Sequence, residues 1–414
     1  MIPSRRWILL GAFSLIGFLI NASTFYALGV VLPAMVSGEH WNWAQAGFGF
    51  TILGAAVGSS SFLPALLIRR FGVRVTLLLG TAAMAAGFAC LALTHGIGLY
   101  FLGAGLCGVG YQMMALIPGA HVIAATFPRR GLPLGLFFTA SSLGGVAGPW
   151  MALAVMSGFH GQWRVLWIIA MAAILIVGAA CALVMGAPAW LERAAKRTDL
   201  EVAQDVAQPA RSGVWRTRHD WTVRQALATP QFYILAAAYF GHLLVGVTVS
   251  SLSMAHLTER GVGATVAVAM LSLEALVQTA GRAIGGLIGD LVDPRYILIF
   301  ALAALIAGAA ALSVARDYPM LLTFAIGSGL GFGLTALAVT MLVLNYFGRA
   351  HNLELFSLTC LVGAASSLGP TIGGVLRDAT GGFASTFQIF AGVIAVLLLS
   401  AILMRPPKWL GADG

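Results

Sequence analysis

Long apolar stretches separated by short polar ones run along almost the whole chain. A helix needs about 20 mostly apolar residues to cross a membrane, and twelve stretches approach or exceed that length. Because the stretches are long and continuous, they indicate helices and not the strands of a barrel. The pattern predicts an all-α membrane protein with twelve transmembrane helices, at about 7–36, 44–68, 73–95, 98–126, 131–157, 163–185, 231–257, 264–291, 295–315, 318–346, 350–376 and 383–404.

A single long polar segment divides these stretches into two sets of six. Short motifs recur in the two halves at a separation of about 220 residues. Ala140-Ser-Ser-Leu-Gly144 recurs as Ala365-Ser-Ser-Leu-Gly369. The motif Phe-x-Arg that begins at Phe127 recurs at Phe347. We therefore expect two parallel six-helix repeats. The predicted organisation is an N-terminal half at 1–186, a cytoplasmic linker at 187–228 and a C-terminal half at 229–414.

Composition supports a membrane protein and gives its orientation. The chain is 59% hydrophobic and only 9% charged, whereas soluble domains carry about 25% charged residues. The net charge is +9, but most basic residues fall in alternate loops between apolar stretches. The positive-inside rule explains this distribution without a nucleic-acid partner. We expect a multi-pass protein in contact with membrane lipid, with both termini in the cytoplasm.

One arginine lies within an apolar stretch that otherwise reads as a transmembrane helix. Arg282 is about 12 Å along the helix from its cytoplasmic end, and therefore near the middle of the membrane. A cation at this depth costs several kcal/mol and usually has a function. The simplest function is to bind a small anion. Gln278 is one turn away and Glu274 two turns away, so both are further site candidates.

Other polar residues at similar depth are candidates for the same site. His242 lies near the middle of the seventh helix, where a histidine can bind an anion, titrate or hydrogen-bond two helices together. His242 and Glu274 are the intramembrane groups able to carry a proton. The remaining candidates for substrate binding can instead join helices by hydrogen bonds: Tyr239 on the seventh helix, Asn21 and Tyr26 on the first, and Tyr111 and Gln112 on the fourth.

A third group of charged residues marks the cytoplasmic ends of helices. Such residues can pair with helix termini and with each other, and so hold one conformation. We call the predicted set the cytoplasmic latch, and it consists of Asp290, Arg129, Arg130, Arg349 and Glu354.

Enzyme motifs are absent from the sequence. There is no nucleophile elbow, no phosphate-binding Gly-Lys-Ser/Thr and no metal-ligand spacing. We therefore expect no enzyme activity, no metal and no cofactor. Without an ATP site, transport would be driven by gradients.

Two glycine-rich helices and the loops that follow them resemble a known family. Gly105-Leu-Cys-Gly-Val-Gly-Tyr-Gln112 precedes Phe127-Pro-Arg-Arg-Gly-Leu-Pro-Leu-Gly135, and Gly369-Pro370 precedes Asp378 in the second half. Arg282 is followed by Gly285-Gly286. These stretches resemble the monocarboxylate transporter branch of the major facilitator superfamily, including its bacterial oxalate/formate-type relatives. The resemblance implies the major facilitator fold, a mid-membrane site and a substrate-binding role for Arg282.

The chain also departs from that family at two places. Eukaryotic-type members place an aspartate four residues before the arginine, where this chain has Gln278, which does not titrate. Oxalate exchangers carry a second intramembrane cation, a lysine on helix eleven, whereas no lysine lies in any predicted span here. The departures leave His242 and Glu274 for proton coupling and favour a singly charged substrate.

The sequence thus predicts a secondary transporter of small organic monocarboxylates in the bacterial inner membrane, working as a proton symporter and a monomer. Its partners would be the carboxylate substrate and protons. Anion exchange of the oxalate/formate type is one alternative and would need a second cation, for which protonated His242 is the candidate. Drug-type efflux is another, although it fits an acidic centre better than a basic one. A transport-dead receptor is the third.

Overall fold

The computed structural model describes residues 3–114, 116–127, 131–185, 215–217, 219, 221–289, 291–348 and 350–408. The chain divides into two compact units, Met1–Pro209 and Ala210–Gly414. We describe each unit separately. The predicted boundaries of the linker at 187–228 stay a prediction.

The N-terminal unit consists, in its described part, of helices joined by short turns. Its first helix is continuous from Pro3 to Glu39 but contains a π-helical turn, so it is divided into three segments. The elements are α1 (Pro3–Asn21), the π-helix (Ala22–Tyr26), α2 (Ala27–Glu39), α3 (Trp43–Ser59), α4 (Leu63–Ala92), α5 (Ile97–Met114), α6 (Leu116–Thr126), α7 (Gly131–Gly158) and α8 (Trp163–Met185).

The C-terminal unit has the same kind of architecture. A short helix precedes its first long one, and a 3-10 turn interrupts its fifth. The elements are α9 (Val223–Leu227), α10 (Pro230–Glu259), α11 (Ala264–Ile288), α12 (Pro294–Val314), α13 (Tyr318–Phe347), α14 (Asn352–Ala364), the 3-10 helix (Ala365–Leu368), α15 (Gly369–Thr380) and α16 (Ala384–Leu403).

The predicted all-α membrane fold is confirmed. Eleven helices of the described ranges are long and apolar enough to cross a membrane. The remaining predicted span, 44–68, is shared between two elements: α3, with 17 residues, and the start of α4. Gly72 interrupts α4 with a φ of 82°, in the left-handed region that favours glycine. The second and third predicted helices therefore meet at Gly72.

Close helix packing occurs at equivalent places in both units. In the N-terminal unit, a Cβ on Gly87 would lie 2.8 Å from the backbone nitrogen of Cys107, so α4 and α5 meet backbone to backbone. In the C-terminal unit, a Cβ on Gly327 would lie 2.8 Å from the nitrogen of Gly308, where α12 meets α13. Small residues permit this approach in membrane helices. The third and fourth helices of each unit thus pack backbone to backbone at these glycines.

The chain that precedes α9 packs on the carboxyl end of α13. The N–H of Thr217 donates to the carbonyl of Asn345 at 2.8 Å, and the N–H of Trp221 donates to that of Phe347 at 3.0 Å. The Trp221 ring is 2% exposed and lies edge-on to Phe347, with 5.7 Å between centroids. Carbonyls in the last turn of a helix have no partner within it. Thr217 and Trp221 supply two of those partners and anchor α13.

We expect Gly308→Ala to destabilise the protein by about 1–3 kcal/mol, because the added methyl group forces α12 and α13 apart. Thermal unfolding, followed with a thiol-reactive fluorophore, suits this test because Cys107 and Cys181 are buried. Gly392→Ala in α16 is the control, since a Cβ there would meet no atom within 4 Å. Equal unfolding temperatures for the two variants would contradict the proposed packing.

Candidate functional site

Arg282 is exposed, and its side chain does not share the lipid-facing side of α11. At 100° per residue, it is about 120–160° around the helix axis from the exposed residues Leu276, Ile284 and Leu287. Its guanidinium carbon lies 5.7 Å from the centre of the Phe332 ring on α13. The cation is therefore directed towards a neighbouring helix and remains accessible.

His242 on α10 contacts the same aromatic ring. The centroids of His242 and Phe332 are 5.2 Å apart, and those of His242 and Tyr239 are 4.8 Å apart. His242 is only 1% exposed. Neither ring nitrogen makes a hydrogen bond of good geometry within the described residues, although the carbonyls of Ala238 and Tyr239 lie nearby. An unsatisfied buried polar group costs about 1–3 kcal/mol.

Two glycines make room for the aromatic rings of this cluster. A Cβ on Gly246 of α10 would overlap the Phe332 ring, at a distance well under 3.0 Å. A Cβ on Gly363 of α14 would lie 2.9 Å from the Tyr239 ring. The Tyr239 hydroxyl also lies 3.9 Å from the Cys360 sulfur, which donates to it. Residues of four helices thus converge around Arg282, and we call Tyr239, His242, Arg282 and Phe332 the arginine cluster.

Glu274 and Gln278 are buried on the side of α11 that faces α13, with exposures of 4% and 7%. A Cβ on Gly329 would lie 2.6 Å from the Glu274 carbonyl, and one on Gly333 would lie 2.5 Å from the Gln278 carbonyl. The helices therefore touch through their backbones here. Arg282 is close enough to interact electrostatically with Glu274, as it also does with Tyr239 and His242.

The candidates in the N-terminal unit form a separate group around the π-helix. The Tyr111 hydroxyl donates to the Asn21 side-chain oxygen at 3.0 Å, and the Tyr111 ring lies edge-on to Phe25 at 5.6 Å. Tyr26 packs on Gly145 of α7, where a Cβ would lie 2.7 Å from its ring. Gln112 is half-buried. The hydrogen bond between Asn21 and Tyr111 thus joins α1 to α5.

Most of the predicted cytoplasmic latch lies outside the described residues: Asp290, Arg129, Arg130 and Arg349. Glu354 is described. It is exposed and forms an ion pair with His351 on the same helical turn, with 3.5 Å between Nδ1 and Oε2. The latch stays a prediction.

Sequence reasoning missed Phe332 and Gly246, which shape the arginine cluster. A signal for Phe332 was present, because it stands 220 residues after Gln112, the separation of Phe127 and Phe347. It also missed His256, which is 2% exposed and bonds the Leu312 carbonyl through Nε2 at 2.8 Å. His256 joins α10 to α12 and has a structural role. Within the described ranges, no group of three or more His, Cys, Asp or Glu residues could hold a metal ion.

The sequence profile of the Major Facilitator Superfamily matches residues 14–360, which is most of the chain. The chain belongs to the Major Facilitator Superfamily. This confirms the predicted superfamily, and the protein is a membrane transporter. No curated protein sequence matches the transporter.

Solved structures of other transporters share the fold. A mutant of the nucleoside transporter NupG superposes with a TM-score of 0.72 at 14% identity, covering 95% of this chain and 99% of that one. A bacterial homologue of the human lysosomal transporter Spinster, in an inward-facing and occupied conformation, gives 0.73 at 16% identity, covering 97% of each chain. At these identities the likeness concerns the fold and leaves the substrate open.

We expect Gly363→Ala to displace the Tyr239 ring and to expose the Cys360 thiol. Maleimide labelling of Cys360 should therefore become several-fold faster. The measurement uses a Cys90→Ser background, in which Cys360 is the reactive thiol because Cys107 and Cys181 are buried. Gly392→Ala is again the control. An unchanged labelling rate in Gly363→Ala, with labelling complete in the denatured protein, would show that Gly363 does not position Tyr239.

Proposed function

We propose that this transporter carries small organic monocarboxylates across the membrane by alternating access, with Arg282 as the group that binds the carboxylate. The observation that carries the proposal is an accessible guanidinium within an otherwise apolar helix, six residues before its carboxyl end. Among the described residues, no carboxylate oxygen lies within ion-pair distance of Arg282. A cation in this environment requires an anion, and the substrate would supply it.

The surroundings of Arg282 suit a carboxylate. The guanidinium presents paired N–H groups that match the two oxygens of a carboxylate. Contact with the face of Phe332 at 5.7 Å contributes a cation–π attraction of about 0.5–2 kcal/mol. This contact limits the orientations of the side chain. Arg282 is thus partly ordered before the substrate arrives.

The number of charges favours a singly charged substrate. Along the long helices α10, α11 and α13 that form the arginine cluster, Arg282 is the only cation between the first and last turns, and Glu274 is the only carboxylate. One guanidinium neutralises one carboxylate. A dianion would leave one negative charge without a partner in a medium where this is costly.

Proton symport is the coupling mode that the charges support, with Glu274 as the leading proton carrier. In the empty site, Arg282 would attract the carboxylate of the buried Glu274. A bound substrate anion would weaken that attraction and add a second negative charge nearby, so Glu274 would be favoured to gain a proton. Proton uptake would then accompany anion binding, and uptake would be faster at lower external pH.

Anion exchange is the second candidate, and the position of His242 favours it. His242 contacts the same Phe332 ring as Arg282. A protonated His242 would place a second cation near the first and allow a dicarboxylate to bind. In that case transport would require an internal anion and would carry no proton.

Arg282→Ala should abolish uptake, because the bound carboxylate would lose its charged partner. We expect uptake to fall by about 100-fold or more. Arg282→Lys should reduce it about 10-fold, because lysine keeps the charge but loses the bidentate geometry. Counterflow of labelled lactate, formate, oxalate and benzoate in proteoliposomes of equal protein density measures both. Arg316→Ala, at an exposed loop position, is the control. A folded Arg282→Ala protein with normal rates would exclude this role.

Glu274→Gln should retain substrate exchange but lose net uptake coupled to protons, because an amide cannot carry one. The measurement is internal acidification per substrate moved, in wild type, Glu274→Gln and His242→Gln, over a range of external pH. Loss only in His242→Gln would assign the proton to the histidine. Equal acidification in all three would exclude both side chains. Wild-type transport without acidification, and dependent on an internal anion, would establish exchange.

A further inference from the structure

The first helix of the N-terminal unit is interrupted by one π-helical turn, Ala22–Tyr26. A π turn is an α-helical turn with one extra residue; such turns are rare and frequently lie at functional sites. It lies within an apolar span, where a free backbone carbonyl would cost several kcal/mol. An irregular turn at this position therefore needs local compensation.

Polar side chains of the same helix provide that compensation. Each donates to the carbonyl four residues earlier: Asn21 to Gly17 at 3.0 Å, Ser23 to Leu19 at 2.6 Å, and Thr24 to Ile20 at 2.6 Å. Such bonds from side chains to the preceding turn are known to bend helices. Because these carbonyls already have side-chain donors, they stay satisfied when the backbone N–H groups change partners. The polar residues thus reduce the difference in free energy between the π and α registers.

The helix that packs on the π turn presents glycine to it. A Cβ on Gly148 of α7 would lie 2.5 Å from the Ala22 carbonyl, and one on Gly144 would lie 3.0 Å from the Ala22 nitrogen. No side chain separates the two backbones here. Ala22 and Tyr26 thus pack on Gly144, Gly145 and Gly148 of α7, and these glycines offer no side chain that would obstruct a rotation of the following segment.

The equivalent helix of the C-terminal unit has no such turn. Gly144 and Gly369 are matched by the recurring Ala-Ser-Ser-Leu-Gly motif, and a Cβ on either would meet a carbonyl of the first long helix of its unit, that of Phe18 or that of Leu244. Beyond Leu244, α10 continues as an α-helix without interruption. The π turn is therefore particular to the N-terminal unit.

We propose that the π-helix Ala22–Tyr26 is a register hinge that changes between π and α during the transport cycle. Conversion to α requires the segment that follows, α2, to turn by about 100° and to shift by about 1.5 Å. Phe25 and Tyr26 turn with it, so the edge-on contact of Phe25 with Tyr111 breaks in one of the two registers. The proposal needs only that the protein is a transporter, and it does not depend on a carboxylate substrate.

Deletion of Ala22 tests the hinge directly. Removing one residue from a π turn leaves a continuous α-helix, with the residues on both sides keeping their orientation. The variant should fold with an unfolding temperature close to that of wild type, and its transport should fall at least 10-fold. Deletion of Ala237 in the uninterrupted α10 is the matched control, and it should be strongly destabilising because it rotates everything that follows. Normal transport after deletion of Ala22 would overturn the proposal.

A spin-label distance measurement separates a hinge from a fixed structural turn. Cysteines replace the exposed residues Leu15 and Ser37, on either side of the π turn, in a protein whose native cysteines are serine. Wild type in lipid nanodiscs should show two distances, and the Ala22 deletion only one. Lactate or benzoate should change the ratio of the two wild-type distances if either is a substrate. A single wild-type distance, equal to that of the deletion variant with and without these compounds, would overturn the hinge.

A second variant covers the case in which the deletion does not fold. Ser23→Ala combined with Thr24→Val removes two of the side-chain bonds, so the exchange between registers should slow and transport should fall several-fold with binding unchanged. Thr340→Val is the control, because Thr340 makes the same bond to Ala336 in the regular helix α13. Equal rates in the two variants would contradict the hinge. Loss of carboxylate transport in Arg282→Ala bears on the proposed substrate alone.

Discussion

Phe332 contacts both Arg282 and His242 because Gly246 leaves the space that its ring occupies. The ring offers a π face to a cation that the membrane would otherwise exclude, and it covers a histidine without hydrogen-bond partners of its own among the described residues. Without this contact, the guanidinium would have several orientations and the histidine would need another neighbour. The chemistry of the C-terminal unit thus depends on a glycine and a phenylalanine that carry no charge.

The two units share their topology but differ in where their first and fifth helices are irregular. Ala-Ser-Ser-Leu is α-helical at 140–143 and forms a 3-10 turn at 365–368, although the sequences are identical. The residues that follow differ, because Gly369 precedes Pro370 whereas Gly144 precedes Gly145. Proline has no N–H to bond the Ser366 carbonyl, which accepts from Gly369 instead. The neighbouring helix also differs, since it contains the π turn in the N-terminal unit and is regular in the C-terminal unit. Each unit therefore has one irregular turn where these helices meet.

Hydrophobic length alone was sufficient to predict the spans, because a membrane requires some 20 apolar residues per helix. Contacts between helices could not be predicted in the same way, since they depend on how each helix is rotated against its neighbours. Gln278 is one turn from Arg282 in the sequence, but its burial and the packing of its backbone on Gly333 of α13 are visible only in the structure. The π turn could not be predicted from the sequence either, because polar residues such as Asn21, Ser23 and Thr24 also occur in regular α-helices.

The anchoring of α13 by Thr217 and Trp221 has a mechanical consequence. These two residues bond the last carbonyls of the helix that carries Phe332, and both lie within the predicted linker. From Phe332 to Phe347 the helix is about 22 Å long, and a helix of this length transmits a pull or a twist with little loss. A force applied to the linker, for example by an attached protein, would act on the carboxyl end of α13. The helix would transmit that force to Phe332 and the arginine cluster.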